Sequence, residues 1–180
     1  MKKLFLPFSL IFIVLLSACA SAESKLDGVS CENIMQAVVD VTVHPESEKI
    51  YTKSEENMDE YSMSLWADGL FEECTEYGVI SDYGIYLSAG RTTYEVAVLR
   101  CVDKKDVPVL TDLIARRKET LALGDKGMYD PDFKKRMNSS VLITEGRTVI
   151  FLVTDDNEAA NKAINELKNL FYIIILHIFC

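Results

Sequence analysis

The side chains of this chain that could do chemistry are few and scattered. Tyr129-Asp130-Pro131-Asp132 sets two carboxylates within three residues, and Glu95 stands alone in an apolar run. Carboxylates of this kind, held in a cleft, can act as general acid and base. A helix cap explains Asp130 with less. Glu55-Glu56 and Asp59-Glu60 form an acidic run. It lacks the alternating ligands of a calcium loop and reads as a solvated helical turn. His44 precedes Pro45, and His177 lies in an apolar stretch; neither opens a triad or a zinc site. Ser139-Ser140 before a strand is ordinary turn chemistry. GxSxG, Walker-type, HExxH and paired-cysteine motifs do not occur. No cofactor, no metal and no catalytic residue follows from these residues.

One thiol is placed for covalent modification. Met1-Lys-Lys is basic, Leu4 to Leu16 is apolar, and Leu16-Ser-Ala-Cys19 closes the pattern. The apolar stretch is shorter than the ~20 residues a bilayer span needs, so it reads as a signal peptide. Ala18-Cys-Ala-Ser-Ala would also serve an ordinary signal cut near Ala20 or Ala22. Leu-Ser-Ala-Cys resembles the bacterial lipobox, whose cysteine is diacylated on sulfur and becomes the new N-terminus. We therefore expect residues 1–18 to be a lipoprotein signal peptide and Cys19 the lipidation site. A polar tether over 19–29 follows. The expected address is the extracytoplasmic face of the cell membrane, held by the lipid.

Loss of Lys2 and Lys3, with no acid, takes the net charge from −9 to −11. Such a charge argues against nucleic acid as a partner. Arg116-Arg117-Lys118 and Lys134-Lys135-Arg136 run against the trend, either as solvated helix faces or as contacts for lipid headgroups. Of the cysteines left after lipidation, Cys101 alternates with core residues and reads as a buried thiol. Cys31 with Cys74 is the disulfide worth testing.

The elements that would position these groups centre on Thr93 to Val102. Tyr94, Val96, Val98 and Val102 point to one face of a strand, and Ala97, Leu99 and Cys101 to the other. Both faces are apolar, which predicts an interior strand covered on both sides. Before it, Ser30 caps a helix to about Val41 that ends at His44-Pro45. Residues 30–68 form a helical or irregular segment, of which Glu46 to Asp68 carries little pattern. Asp68 should cap a helix with Leu70, Phe71, Cys74 and Tyr77 on one face and Gly78 at its end. From Tyr83 the order is strand, strand, helix, repeated once: Tyr83–Ser88 and the central strand, a helix from Asp106 to Leu123, a hairpin of 141–145 and 147–154 around Gly146, and a helix capped within Asp155-Asp-Asn-Glu158. Asp130-Pro131 should start a short helix between these units. This predicts an α+β domain over 69–170, with a mainly antiparallel sheet of about four strands and packed helices. Residues 171–180 are almost wholly apolar yet half a bilayer span in length. They suit an added strand, a segment in the membrane interface, or an altered reading frame; the β-branched run favours strand over helix if it is ordered.

Within this frame two charges demand partners. Glu95 and Arg100 sit in the interior strand on opposite faces and cannot neutralise one another. In the following helix Leu110, Leu113, Ile114 and Leu121 define the buried stripe, and Arg117 falls inside it. Its stem could carry the charge out to water. The alternative favoured here is a pair with Glu95 as a structural clamp, because a buried charge needs a partner and guanidinium matches carboxylate two bonds at a time.

Tyr94-Glu95-Val-Ala-Val-Leu-Arg100 with Asp103, Arg117, Tyr129-Asp-Pro131 and Gly146-Arg-Thr-Val-Ile-Phe-Leu-Val resemble a bacterial lipoprotein family, domain of unknown function 4358. The resemblance covers roughly Leu70 to Ile164. It implies a fold and a cell-surface address without supplying chemistry, and the apolar tail after Lys168 departs from the pattern. The reading is a lipid-anchored binding or assembly module at the cell envelope, with an envelope protein or ligand as partner. The alternatives are an envelope hydrolase using carboxylates such as Glu95 or Asp130, and a structural accessory subunit of a membrane complex.

Overall fold

A computed structural model describes residues 24–179 other than Arg91 and Asp125. The elements are helix α1 (Cys31–Val41), strand β1 (Ser47–Thr52), helix α2 (Glu60–Asp68), strands β2 (Ile80–Ser88) and β3 (Glu95–Cys101), and helix α3 (Val107–Leu123). Two short helices follow, α4 (Lys126–Tyr129) and α5 (Phe133–Ser139). Strands β4 (Val141–Glu145) and β5 (Thr148–Val153) and the long helix α6 (Asn157–Phe179) close the chain. The five strands form one sheet in the order β1-β2-β3-β5-β4, every neighbour antiparallel. The fold is therefore α+β, with one strand more than the pattern suggests.

Strand β3 occupies the centre, and every residue of it is buried. Ala97, Leu99 and Cys101 join Tyr83, Ile85, Val149 and Phe151 under α2 and α3. Val96 and Val98 join Tyr86, Ile150 and Leu152 under α1 and α6. The sheet thus lies between two helical layers, which accounts for continuous apolar runs rather than half-polar strands. Val102, expected in the strand, is 58% exposed and lies past its end.

Strand β1 was invisible to periodicity because Ser-Glu-Lys-Ile-Tyr-Thr is an edge strand, polar on most of its length. It pairs with β2, and α1 packs on β2 and β3, so residues 30–68 belong to the same body as 69–170. The helix expected after Asp68 is in fact the helix before it. Asp59 Oδ1 accepts the Ser62 amide at 2.8 Å, and Gly69 at φ 70° ends the element in the left-handed conformation. Leu70 and Phe71 are left exposed rather than sharing a buried face. Asp130-Pro131 likewise starts no helix: α5 begins at Phe133, and the Asp130 carboxylate is buried elsewhere.

Helix α6 continues to Phe179, so the apolar tail is helical where β-branching favoured a strand. Propagation of an existing helix costs little per residue compared with nucleation, which lets strong upstream packing override propensity. The chain is also packed from Ser24 onward instead of forming a tether to residue 29. Lys25–Gly28 makes a 3-10 turn whose Leu26 is fully buried against the α1–α6 layer. Cys31 and Cys74 are free thiols in separate cores on opposite sheet faces, which excludes the suggested disulfide.

Gly84 permits a close backbone approach between the sheet and α1. A Cβ there would lie 2.6 Å from the Cys31 carbonyl oxygen, where α1 begins across β2. Gly84→Ala should force α1 away from the sheet and destabilise by about 1–3 kcal/mol, the usual cost of overpacking, as measured by urea unfolding.

Candidate functional site

The buried charges form three separate networks, and each joins the sheet to a different element. On one face Glu95, 2% exposed, receives Arg117 from α3. Arg117 Nη2 donates to Glu95 Oε2 at 2.5 Å and Nε donates to Oε1 at 3.0 Å, a two-pronged contact. Trp66 of α2 donates its indole N–H to Glu95 Oε1 at 2.9 Å, and Arg117 Nη1 returns a bond to the Trp66 carbonyl at 2.8 Å. The guanidinium carbon stands 5.6 Å from the Trp66 ring centroid, within cation–π range. Strand, helix α2 and helix α3 are thereby tied at one carboxylate.

On the other face Arg100 is the counterpart. Its Nε donates to Thr148 Oγ1 at 3.0 Å and Nη1 to Asp82 Oδ2 at 3.3 Å. Nη2 donates to the carbonyls of Leu26 at 2.8 Å and Val29 at 2.5 Å. Asp82 also accepts the Cys31 amide at 2.8 Å, at the start of α1. The interior charge of β3 therefore holds the N-terminal turn in place. Sequence reasoning missed this, because its partners are main-chain carbonyls with no side-chain signature.

The third network surrounds Asp130. Its Oδ2 accepts the Thr93 amide at 2.9 Å, the Thr93 hydroxyl at 2.5 Å and Arg136 Nη1 at 2.8 Å. Arg136 also grips Asp155 through Nε at 3.0 Å and Nη2 at 2.9 Å. Burial opposes the charged form of Asp130, but the bonds from Thr93, the Asp132 amide and Arg136 outweigh it and hold the carboxyl below its ordinary range. The cluster Lys134-Lys135-Arg136 is thus split. Lys135 is largely exposed, while Arg136 is drawn inward. Arg116-Arg117-Lys118 divides in the same way: Arg117 is buried, and Arg116 bonds Asp68, Glu76 and Asp112 at 2.8, 2.9 and 3.0 Å.

These networks leave Glu95 and Asp130 ill placed for catalysis. Both oxygens of each carboxylate already accept hydrogen bonds, and both residues are closed to solvent. Among the described residues no buried side-chain nitrogen or oxygen lacks a bond. No group of three His, Cys, Asp or Glu among them could hold a metal. His44 meets the Tyr86 hydroxyl at 3.0 Å on the surface. The His177 side chain and Cys19 lie outside what the structure describes. Burial pushes the Cys31 thiol well up and Cys74 to about 11, so neither is a thiolate nucleophile at neutral pH.

One concave feature is a cleft of about 540 Å³ between α2, α3 and the turn at Thr75–Val79. Asp68, Glu72, Glu73, Glu76 and Glu119 line it, with Arg116 the cation among them. Burial works against Glu76 ionisation, but the Arg116 bond and further bonds from its own amide, Cys74 and Thr75 hold its carboxyl below the usual range. Leu70 and Leu123 flank the cleft at 52% and 88% exposure, and Phe71, 79% exposed, stacks on Tyr61 at 5.5 Å. Nothing in the sequence marked this cleft, because Leu70 and Phe71 read there as a buried helix face.

No family model, no curated protein and no solved structure matches the chain.

Removing either Glu95 or Arg117 strands a buried charge, so Glu95→Leu and Arg117→Met should each cost about 3 kcal/mol. The double variant should recover much of that loss. Denaturant unfolding of the four proteins measures the coupling, and strictly additive losses would exclude it. Asp130 supplies a pH signature. Its folded value lies below the unfolded value of about 4, so its contribution is full above pH ~4 and drains away as pH falls through the folded value. Melting temperature should therefore drop on acidification below pH ~4, and Asp130→Asn should flatten part of that drop while lowering stability at pH 7.

Proposed function

We propose that this chain is a lipid-anchored binding module on the extracytoplasmic face of a bacterial cell membrane. It engages a protein partner through the acidic cleft. The lipobox at Leu16 to Cys19 supports the address, as does the resemblance to the lipoprotein family carried by Tyr94 to Arg100, Arg117 and Tyr129 to Pro131. The observation that carries the binding role is the apolar rim on a charged cleft. Leu70 and Leu123 stand exposed on the cleft beside five carboxylates, and Phe71, next to Leu70 in the chain, is exposed as well. Exposed apolar side chains with a polar surround are a usual mark of an interaction surface. Arg116 is already consumed by Asp68, Glu76 and Asp112, so the cleft keeps an excess of negative charge. The partner it fits is a segment bearing Lys or Arg together with an apolar side chain, since complementary charge steers encounter and the apolar contact holds it.

Two measurements in the native host test this. Metabolic labelling with a fatty acid should mark the wild type and not Cys19→Ala; equal labelling would remove the lipid anchor. Crosslinking followed by membrane purification should recover a protein partner with the wild type. Phe71→Asp, on an exposed side chain that leaves the fold alone, should lose it at least tenfold. Recovery of the same partner with both proteins, or of wall fragments and lipid alone, would refute docking at the cleft.

A further inference from the structure

The first described residue and helix α6 meet at one corner of the domain. Ser24 Oγ donates to Glu145 Oε1 at 3.1 Å, and Lys168 Nζ of α6 donates to Glu145 Oε2 at 2.8 Å. A single carboxylate at the end of β4 therefore clamps the incoming chain beside Lys168 of helix α6. The clamp is electrostatically settled: the Lys168 bond, against the cost of burial, holds the Glu145 carboxyl below its ordinary range. Leu26 is buried in the same core as Ile164, with Leu167 packed against it. Beyond this point a groove of about 400 Å³ runs between Val29, Ala37, Leu167 and Leu170. Gly146, at φ 62°, closes the corner from the hairpin side, since any Cβ there would collide with Ser24.

The reach of the chain on either side of this corner is limited. Four residues, 20–23, lie between Cys19 and Ser24, so five Cα–Cα steps span at most ~18 Å when fully extended. A lipid on Cys19 would hold this corner against the membrane surface. Helix α6 passes the corner and continues as Phe171-Tyr-Ile-Ile-Ile-Leu-His-Ile-Phe179, nine residues with His177 as their strongly polar member. At 1.5 Å per residue this extension is about 14 Å long, against ~30 Å for the hydrocarbon core. Among the described residues no helix is long and apolar enough to cross a membrane. An apolar helical end of one-leaflet length, beginning three residues past the corner where a lipid would tie the chain down, is chemically matched to the acyl region of a bilayer.

We propose that residues 171–179 form a second membrane contact, entering the same leaflet as the Cys19 lipid; this rests on the anchor reading made above. Two attachment points on one corner set the orientation of the domain as well as its address. One acyl anchor on a flexible stem leaves a domain free to tumble, and stable attachment ordinarily takes two signals. The α1–α6 layer then lies toward the lipid. The acidic cleft, built from α2 and α3 on the opposite sheet face, stays clear of it. Because the contact is apolar, it should persist at high salt.

The test places a fluorophore in the extension. Full-length Ile175→Trp, matured in its host, is reconstituted in phosphatidylethanolamine–phosphatidylglycerol vesicles with and without brominated acyl chains. Trp66, 4% exposed, is the internal reference and reports that the fold is intact. Emission from the added indole should fall at least threefold in brominated vesicles, at low and at 1 M salt, while Trp66 emission in the wild type changes little. Unquenched emission would overturn the proposal, whether the extension is free or pairs with a second copy. Sedimentation of Ile175→Glu would tell those two outcomes apart. Fatty-acid labelling of the same preparation separates the two readings. Quenching without labelling would support the contact and reject the anchor; labelling without quenching would do the reverse.

Discussion

The fold depends on burying a charged strand. Strand β3 is enclosed on both faces, yet it carries Glu95 toward one helical layer and Arg100 toward the other. A lone charge in such a place is prohibitively costly, so each layer must bring a partner to the sheet. The upper layer answers with Arg117 and Trp66, and the lower with Asp82 and the carbonyls of Leu26 and Val29. Well-packed apolar residues could stabilise these positions as well or better. What ion pairs add is selectivity among packings. A layer shifted by one helical turn would remain greasy but would strand a charge.

These partnerships make the polar positions in and around the sheet structural. Glu95, Arg100, Arg117 and Asp130 each sit at a junction between sheet and helix, and Asp103 caps the turn leading into α3. Apolar strands interrupted by a few charges are here the signature of a packing scheme. The three networks already engage both oxygens of Glu95 and of Asp130 in hydrogen bonds, while the acidic cleft keeps Leu70 and Leu123 exposed at its edge.

Legibility followed the physics of burial. The interior strand, the stripe of α3 and the position of Arg117 within it could be read because periodicity reports which face is covered. The pairing of Glu95 followed from the cost of leaving it alone. Trp66 was not seen as a donor to the same carboxylate, since α2 lies far away in sequence and its weak pattern drew attention to Asp68 instead. Edge strand β1 has little to bury and therefore little pattern. Asp130 was read as a cap because capping is a local habit of Asp, whereas its actual partners are Thr93, 37 residues away, and an arginine that charge clustering had assigned to the surface. Main-chain acceptors, such as those of Arg100, leave no trace in residue identity at all.

The N-terminal turn shows how a local arrangement can carry a long-range consequence. Arg100 reaches from the middle of the sheet to the Leu26 and Val29 carbonyls, and Asp27 turns back to the Arg147 amide at 3.2 Å. Leu26 fills the core between α1 and α6. The first described residues are thus held by the same strand that organises the rest, and a lipid on Cys19, as proposed, would be joined to them through residues 20–23 alone. A long polar stem would let the domain drift tens of ångströms from the bilayer and present any face. A short one, starting beside α6, would couple the position of the proposed anchor to the orientation of the sheet. Burial of one arginine at the centre of the fold would then bear on which face an anchored protein offers to a partner.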